Sequence, residues 1–181
     1  ANTTDATVIK AKFDSWIEAQ VTEVFPNWNV DASAGVAGKL QQLSGTTRYI
    51  SAKGLEYDQA ITKSLIGALM MDQILNNYLS PAKLESGTNL ADNNNDVLAD
   101  GKNYTTMEHN WDEAYGYLYG TEQNAGVPAV DAADNFLNKY VKRVANNGFP
   151  NVPTEIYDAF KLGRAAITAK NYTLRDRKTH V

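Results

Sequence analysis

Residues 54–79 constrain this chain more than any other stretch. Leu55, Ala60, Ile61, Leu65, Leu69, Met70, Ile74 and Leu75 recur at helical spacing, and Ala68 and Met71 widen the apolar face beyond one stripe. A helix apolar on much of its circumference is expected to lie at the centre of a bundle. Gly67 in its middle costs about 1 kcal/mol against alanine. Its expected role is to let a neighbouring helix or a large ring come close. Ser80-Pro81 closes the run.

Other segments show narrower helical stripes. From an Asp5 cap, Ile9, Phe13, Trp16, Ile17, Val21 and Val24 line one face, and Phe25-Pro26-Asn27 ends it. A third helix is predicted over 104–119 with Gly120 as its stop, and a fourth over 129–146. A fifth follows Pro153, with Thr154 as N-cap. Residues 26–51 read as a long irregular segment with one extended piece at Arg48-Tyr49-Ile50, and residues 80–103 as a polar connection. The tail from Thr173 resembles the first turns of a sixth helix, with only Leu174 and Val181 as large apolar residues. The expected fold is therefore all-α, a helical bundle of about five to six helices with long polar loops, in a single domain over 1–181. With so little to bury, the last helix leads to the expectation of missing C-terminal helices or of a protein partner over that end.

Composition narrows the function classes. Of 181 residues, 43% are hydrophobic, enough for a buried core. A net charge of −4 argues against nucleic acid as a partner. No apolar run approaches the roughly 20 residues of a transmembrane segment. The absence of cysteine excludes disulfides, thiolate zinc sites and thiol catalysis. Ala1-Asn2-Thr3-Thr4-Asp5 shows neither a basic nor an apolar leader region, which fits a chain without a signal peptide or a mature form.

The third helix carries the most chemistry. His109 and Glu113 are four apart, and Asp112 lies three from His109, so the three share a helix face. Imidazole and carboxylates at this spacing suit a divalent or ferric cation. A second helix has to complete such a site, and Glu56 and Asp58 are the natural donors. The competing reading is a histidine paired to a helix carboxylate for packing. Trp111, Tyr115, Tyr117 and Tyr119 around the motif read as core and helix contacts. Arg164, among small residues, reads as a clamp on Glu56, Glu108 or Glu113, with anion binding as the alternative. Asp92-x-Asn94-x-Asp96 begins like a calcium loop, but Val97 stands where glycine is needed and Asn103 where glutamate is needed. A solvated polar loop is expected there. No nucleophile motif is visible.

Lys53-Gly54-Leu55-Glu56-Tyr57-Asp58-Gln59, the stretch from Met107 to Tyr117, and Lys161-Leu162-Gly163-Arg164-Ala165-Ala166-Ile167 together resemble a family of bacterial cell-envelope proteins classed as a domain of unknown function, many of them predicted surface lipoproteins. That family in turn resembles the imelysin-like helical proteins, which occur with iron-uptake systems and carry a Gly-x-His-x-x-Glu motif. Here Met107 stands in the glycine position and Asp112 in that of the glutamate, with Glu113 one residue further.

The resemblance implies a non-catalytic binding or accessory protein of a bacterial uptake system in the periplasm or at the outer-membrane surface. An outer-membrane transporter is the implied partner and iron or another metal the implied cargo. The alternatives are a structural or interaction subunit without a ligand, and a metal-dependent hydrolase. Only one helix supplies obvious ligands for the last of these.

Overall fold

The computed structural model describes residues 4–120 and 136–180, and within them the fold is mostly helical with one small two-stranded sheet. The chain forms two compact units, residues 1–65 and 66–181.

The first unit opens with α1 (Thr4–Ala19), which widens into a π-helical turn, Gln20–Val24, and then tightens into a 3-10 turn, Phe25–Asn27, with Pro26 as its second residue. The predicted irregular segment 26–51 contains a hairpin instead. Strand β1 (Gly38–Gln41) pairs antiparallel with β2 (Thr47–Ile50), placing Gly38 opposite Ile50 and Gln41 opposite Thr47. Four-residue strands with a glycine and two glutamines nearby carry no readable alternation, which is why only the second strand was legible.

Gly38 is required where it stands, at φ +155°. A Cβ there would lie 2.9 Å from the Val30 carbonyl carbon and closer still to its oxygen. Trp28 stacks on Tyr49 at 3.6 Å between ring centroids and anchors the loop to the hairpin. Buried Ser51 accepts hydrogen bonds from the N–H of Lys53 and of Leu55, and Glu23 accepts from Ala52 N–H and the Tyr57 hydroxyl. This turn delivers the chain into α2 (Tyr57–Leu65).

The second unit begins with two π-helical runs, Ile66–Met71 and Gln73–Tyr78. The expected central helix is central only along part of its length. In it Ile74 and Leu79 are buried and join the core, with Ile66, Met70 and Tyr78 partly buried against it, whereas Leu55, Leu65, Leu69, Met71 and Leu75 are exposed. Gly67 meets nothing within 4 Å, so its expected close approach is absent. A π turn holds more residues per turn than an α turn, which spreads an α-spaced apolar pattern around the helix instead of gathering it on one side.

The 80–103 connection carries two short helices, α3 (Pro81–Leu84) and α4 (Asn89–Asn94). Helix α5 (Thr106–Tyr119) follows and ends at Gly120. Of the predicted fourth helix, the described part is α6 (Leu137–Asn146); the rest lies outside the described residues. Helix α7 (Val152–Thr168) starts earlier than predicted, with Asn151 and not Thr154 at its N-cap. The tail forms α8 (Tyr172–Lys178).

The core centres on α5. Met107, Trp111, Ala114, Leu118 and Tyr119 pack with Leu84, Phe160 and Ile167. Helix α8 buries a charge where apolar residues were sought: Arg175 is fully buried. Its Nη2 reaches Glu85 at 2.5 Å and Asp176 at 2.6 Å, its Nη1 reaches Met107 Sδ at 3.5 Å, and its guanidinium lies over the Tyr172 ring. An apolar count cannot register that anchor.

Candidate functional site

The α5–α7 seam holds the motif residues. Thr105 caps α5 and forms a capping box: its hydroxyl accepts from Glu108 N–H, and Glu108 Oε2 accepts from Thr105 N–H at 2.9 Å. This fixes the Glu108 carboxylate at the buried start of the helix. Its other oxygen, Oε1, accepts from Arg164 Nη1 at 2.6 Å and from the Thr168 hydroxyl at 2.8 Å. Burial pushes the Glu108 carboxyl up, but the bonds from Thr105, Thr168 and Arg164 and the Arg164 charge outweigh it, so the group sits below the ordinary carboxylate range.

Arg164 is the hub. Its Nε donates to both oxygens of Asp112, at 3.0 and 3.3 Å. Burial raises the Asp112 pKa and the Arg164 charge only partly offsets it, leaving the group above its usual value. The position of α7 that makes this seam possible is Gly163, where a Cβ would fall inside the Trp111 ring, 2.9 Å from Cε2 and nearer to two other ring carbons. The large ring expected beside Gly67 is met here. Trp111 is buried, and its indole N–H donates to the Phe160 carbonyl at 2.9 Å.

His109 and Glu113 lie outward on the same helix. Nε2 of His109 stands 3.3 Å from Glu113 Oε1, with both side chains nearly half exposed, and the imidazole stacks on Tyr104 at 5.2 Å. Asp112, predicted on that face, turns to Arg164 instead. Glu56 and Asp58 belong to the first unit, where Glu56 meets Arg48 at 3.5 Å and Asp58 accepts from Gln59 at 2.9 Å. Among the described residues no group of three or more histidine, aspartate or glutamate side chains is arranged to hold a metal ion.

Several residues escaped the sequence reading. Asn93, expected in a solvated loop, is buried; it donates to the Ile167 carbonyl and to the Tyr172 hydroxyl and accepts from Thr105 at 2.7 Å. Thr105-x-x-Glu108 was legible as a capping box and would have placed Glu108 inward. Tyr119 is buried with no hydrogen-bond partner for its hydroxyl among the described residues, and burial drives its pKa well upward. Its place in the core agrees with the sequence reading; its unpartnered hydroxyl is what that reading did not contain.

The whole chain, residues 1–181, matches one family, described as domain of unknown function (DUF4856). The chain belongs to that family. No curated protein and no solved structure gives a significant match. Among the described residues no helix is long and apolar enough to cross a membrane.

Proposed function

We propose that the chain is a non-catalytic binding or accessory module of a bacterial cell-envelope uptake system, imelysin-like in kind and concerned with iron or another metal. The observation that carries this reading is the division within one motif. Arg164 engages Glu108 and Asp112, while His109 and Glu113 remain solvent-facing. A carboxylate held below its ordinary pKa by hydrogen bonds and a guanidinium is a weak general base, so Glu108 suits the clamp better than proton transfer. One imidazole nitrogen and one carboxylate oxygen offer two donors to a cation whose other ligands come from water or a partner. Such a site exchanges its cation readily, which suits hand-over between proteins. The envelope location and the transporter partner rest on the family resemblance.

Calorimetry with Mn²⁺, Zn²⁺ and Fe³⁺-citrate, together with metal content by mass spectrometry, tests the reading on wild type and His109→Ala. Wild type is expected to bind and the variant to lose most of that binding. Equal metal content in both would remove the motif from metal handling. A second reading, an interaction subunit without a ligand, is favoured by the exposed apolar residues Ile9 and Ile17 on α1 and Val21 in the turn after it. It predicts that His109→Ala changes no affinity.

A further inference from the structure

Between the π-helical run Gln73–Tyr78 and helices α5, α6 and α7 lies a cavity of about 140 Å³. Ile74, Leu118, Leu137, Val141, Ile156 and Ala159 supply much of its wall. Trp111 and Phe160 also border it, but the indole N–H is already spent on the Phe160 carbonyl. Lys178 and Thr179 bring the other polar side chains, and the Thr179 hydroxyl donates to the Asp176 carbonyl. Water held inside a protein needs several polar partners, which this wall does not offer. An apolar cavity of about 150 Å³ stays dry and admits an apolar guest the size of benzene. Protein interiors leave few voids larger than a water molecule, which sets this one apart from ordinary packing. One half-buried lysine at its edge does not fix the charge of a guest, so recognition rests on the apolar wall. The rim decides the shape. Met71 and Leu75 line the same cavity yet are 38% and 46% exposed, so it reaches the surface along an apolar lip. A ring seated inside would leave that lip in water. A chain longer than the cavity covers it.

We propose that this cavity binds the end of a free, unbranched alkyl chain, its last carbons between α5, α6 and α7 and the following ones across Met71 and Leu75. The lip then gains contact area that the free chain lacks, and the flexible Met71 side chain adapts to the guest. The polar head of the molecule stays in water. The inference goes beyond the metal reading and uses neither His109 nor Glu113.

Butanol, hexanol, octanol, octanoate, benzene and an octanediol with a hydroxyl at each end, titrated into the full chain, test this by NMR on labelled isoleucine and methionine methyls. Octanol is expected to shift and saturate Met71, Ile74 and Ile156 and to leave Ile9, Ile17 and Ile50 unmoved. Affinity should rise by up to about fourfold per methylene from butanol to octanol. The diol should bind at least about tenfold more weakly, because one hydroxyl must enter the apolar wall. Ala159→Leu fills the cavity and should weaken octanol at least about tenfold. Leu75→Ser, at an exposed position, should weaken it about threefold without lowering the melting temperature. Octanoate and octanol differ only at the head, so the tighter of the two identifies the source as an acid or an alcohol, and saturation by either supports the proposal. No saturation by about 2 mM of either, equal affinity for diol and octanol, or benzene bound more tightly than octanol would overturn it. Full octanol affinity in Leu75→Ser or in folded Ala159→Leu would do the same. His109→Ala should leave octanol binding unchanged, so the metal reading and this one fail separately.

Discussion

The α5–α7 seam and helix α1 spend their side chains in opposite ways. On the seam nearly every motif residue is committed: Trp111 fills the space over Gly163, Glu108 closes a capping box, and Arg164 joins two carboxylates. On α1 the apolar residues are regular in sequence yet Ile9 and Ile17 stay exposed, as does Val21 in the π-helical turn that follows, where Val24 is buried. Periodicity tells which residues share a face. Only the neighbouring element decides whether that face is covered. Regular pattern and burial are therefore separable in this chain, and substitutions in the two regions should differ by several-fold in cost.

The sharpest way to break the contrast is Gly163→Val. A branched side chain cannot share space with the indole, so α5 and α7 must separate. A loss of about 3 kcal/mol or more is expected in urea unfolding of the full chain. A loss under about 1 kcal/mol would mean that the seam is not where the stability of the second unit resides. Next comes Arg175→Ala. It empties a fully buried volume and strips Glu85 and Asp176 of their partner, but both carboxylates are a third or more exposed and can rehydrate. The expected cost is about 2–3 kcal/mol by the same measurement, and Arg175→Lys should recover little of it because a point charge cannot meet both carboxylates.

Glu108→Gln tests the polar part of the seam at about 1–2 kcal/mol at neutral pH, since charge-assisted bonds to Arg164, Thr105 and Thr168 become neutral ones. Its pH dependence has a defined sign. The Glu108 pKa in the folded chain is depressed, so its stabilisation is fully present above the ordinary glutamate pKa and is lost as pH falls through the lower folded value. Asp112 runs the other way: its folded pKa is raised, so it favours the fold below the ordinary aspartate pKa, and that contribution is lost as pH rises through the folded value. Melting curves between pH 3 and 7 should therefore converge for wild type and Glu108→Gln toward the acid end. Parallel curves would remove Glu108 from the titrating set.

How much of this was legible from sequence follows the same division. The helix from Thr106 to Tyr119 and its Gly120 stop could be read, because capping and termination are local signals. The site was readable only in pieces. His109 and Glu113 at i and i+4 follow from helix geometry alone, but Asp112 turning away depends on Arg164, which is 52 residues distant. The hairpin at 38–50 and the buried Arg175 went unread for a common reason. Each draws its stability from partners remote in sequence or from backbone pairing, and neither leaves an apolar period behind. In segment 54–79 the apolar residues were plain, and Ile74 and Leu79 do enter the core, but the π turns that leave Leu69, Met71 and Leu75 exposed have no sequence signature.

The smallest expected effect is also the most informative about α1. Ile9→Glu places a charge on a residue that is already half exposed, in a helix face carrying the exposed Lys10–Asp14 pair beside it. A surface change of this kind should alter stability by no more than about 0.5 kcal/mol. The same substitution would cost about 2 kcal/mol or more if the stripe were covered, because a buried carboxylate must then give up water without a partner. Measured as a function of protein concentration, the melting temperature distinguishes the two states of the stripe. A concentration-independent loss within the smaller range leaves α1 as an open face. A larger loss that grows with concentration means that wild-type chains cover the stripe by association, because a partner that binds only the folded state stabilises it by mass action.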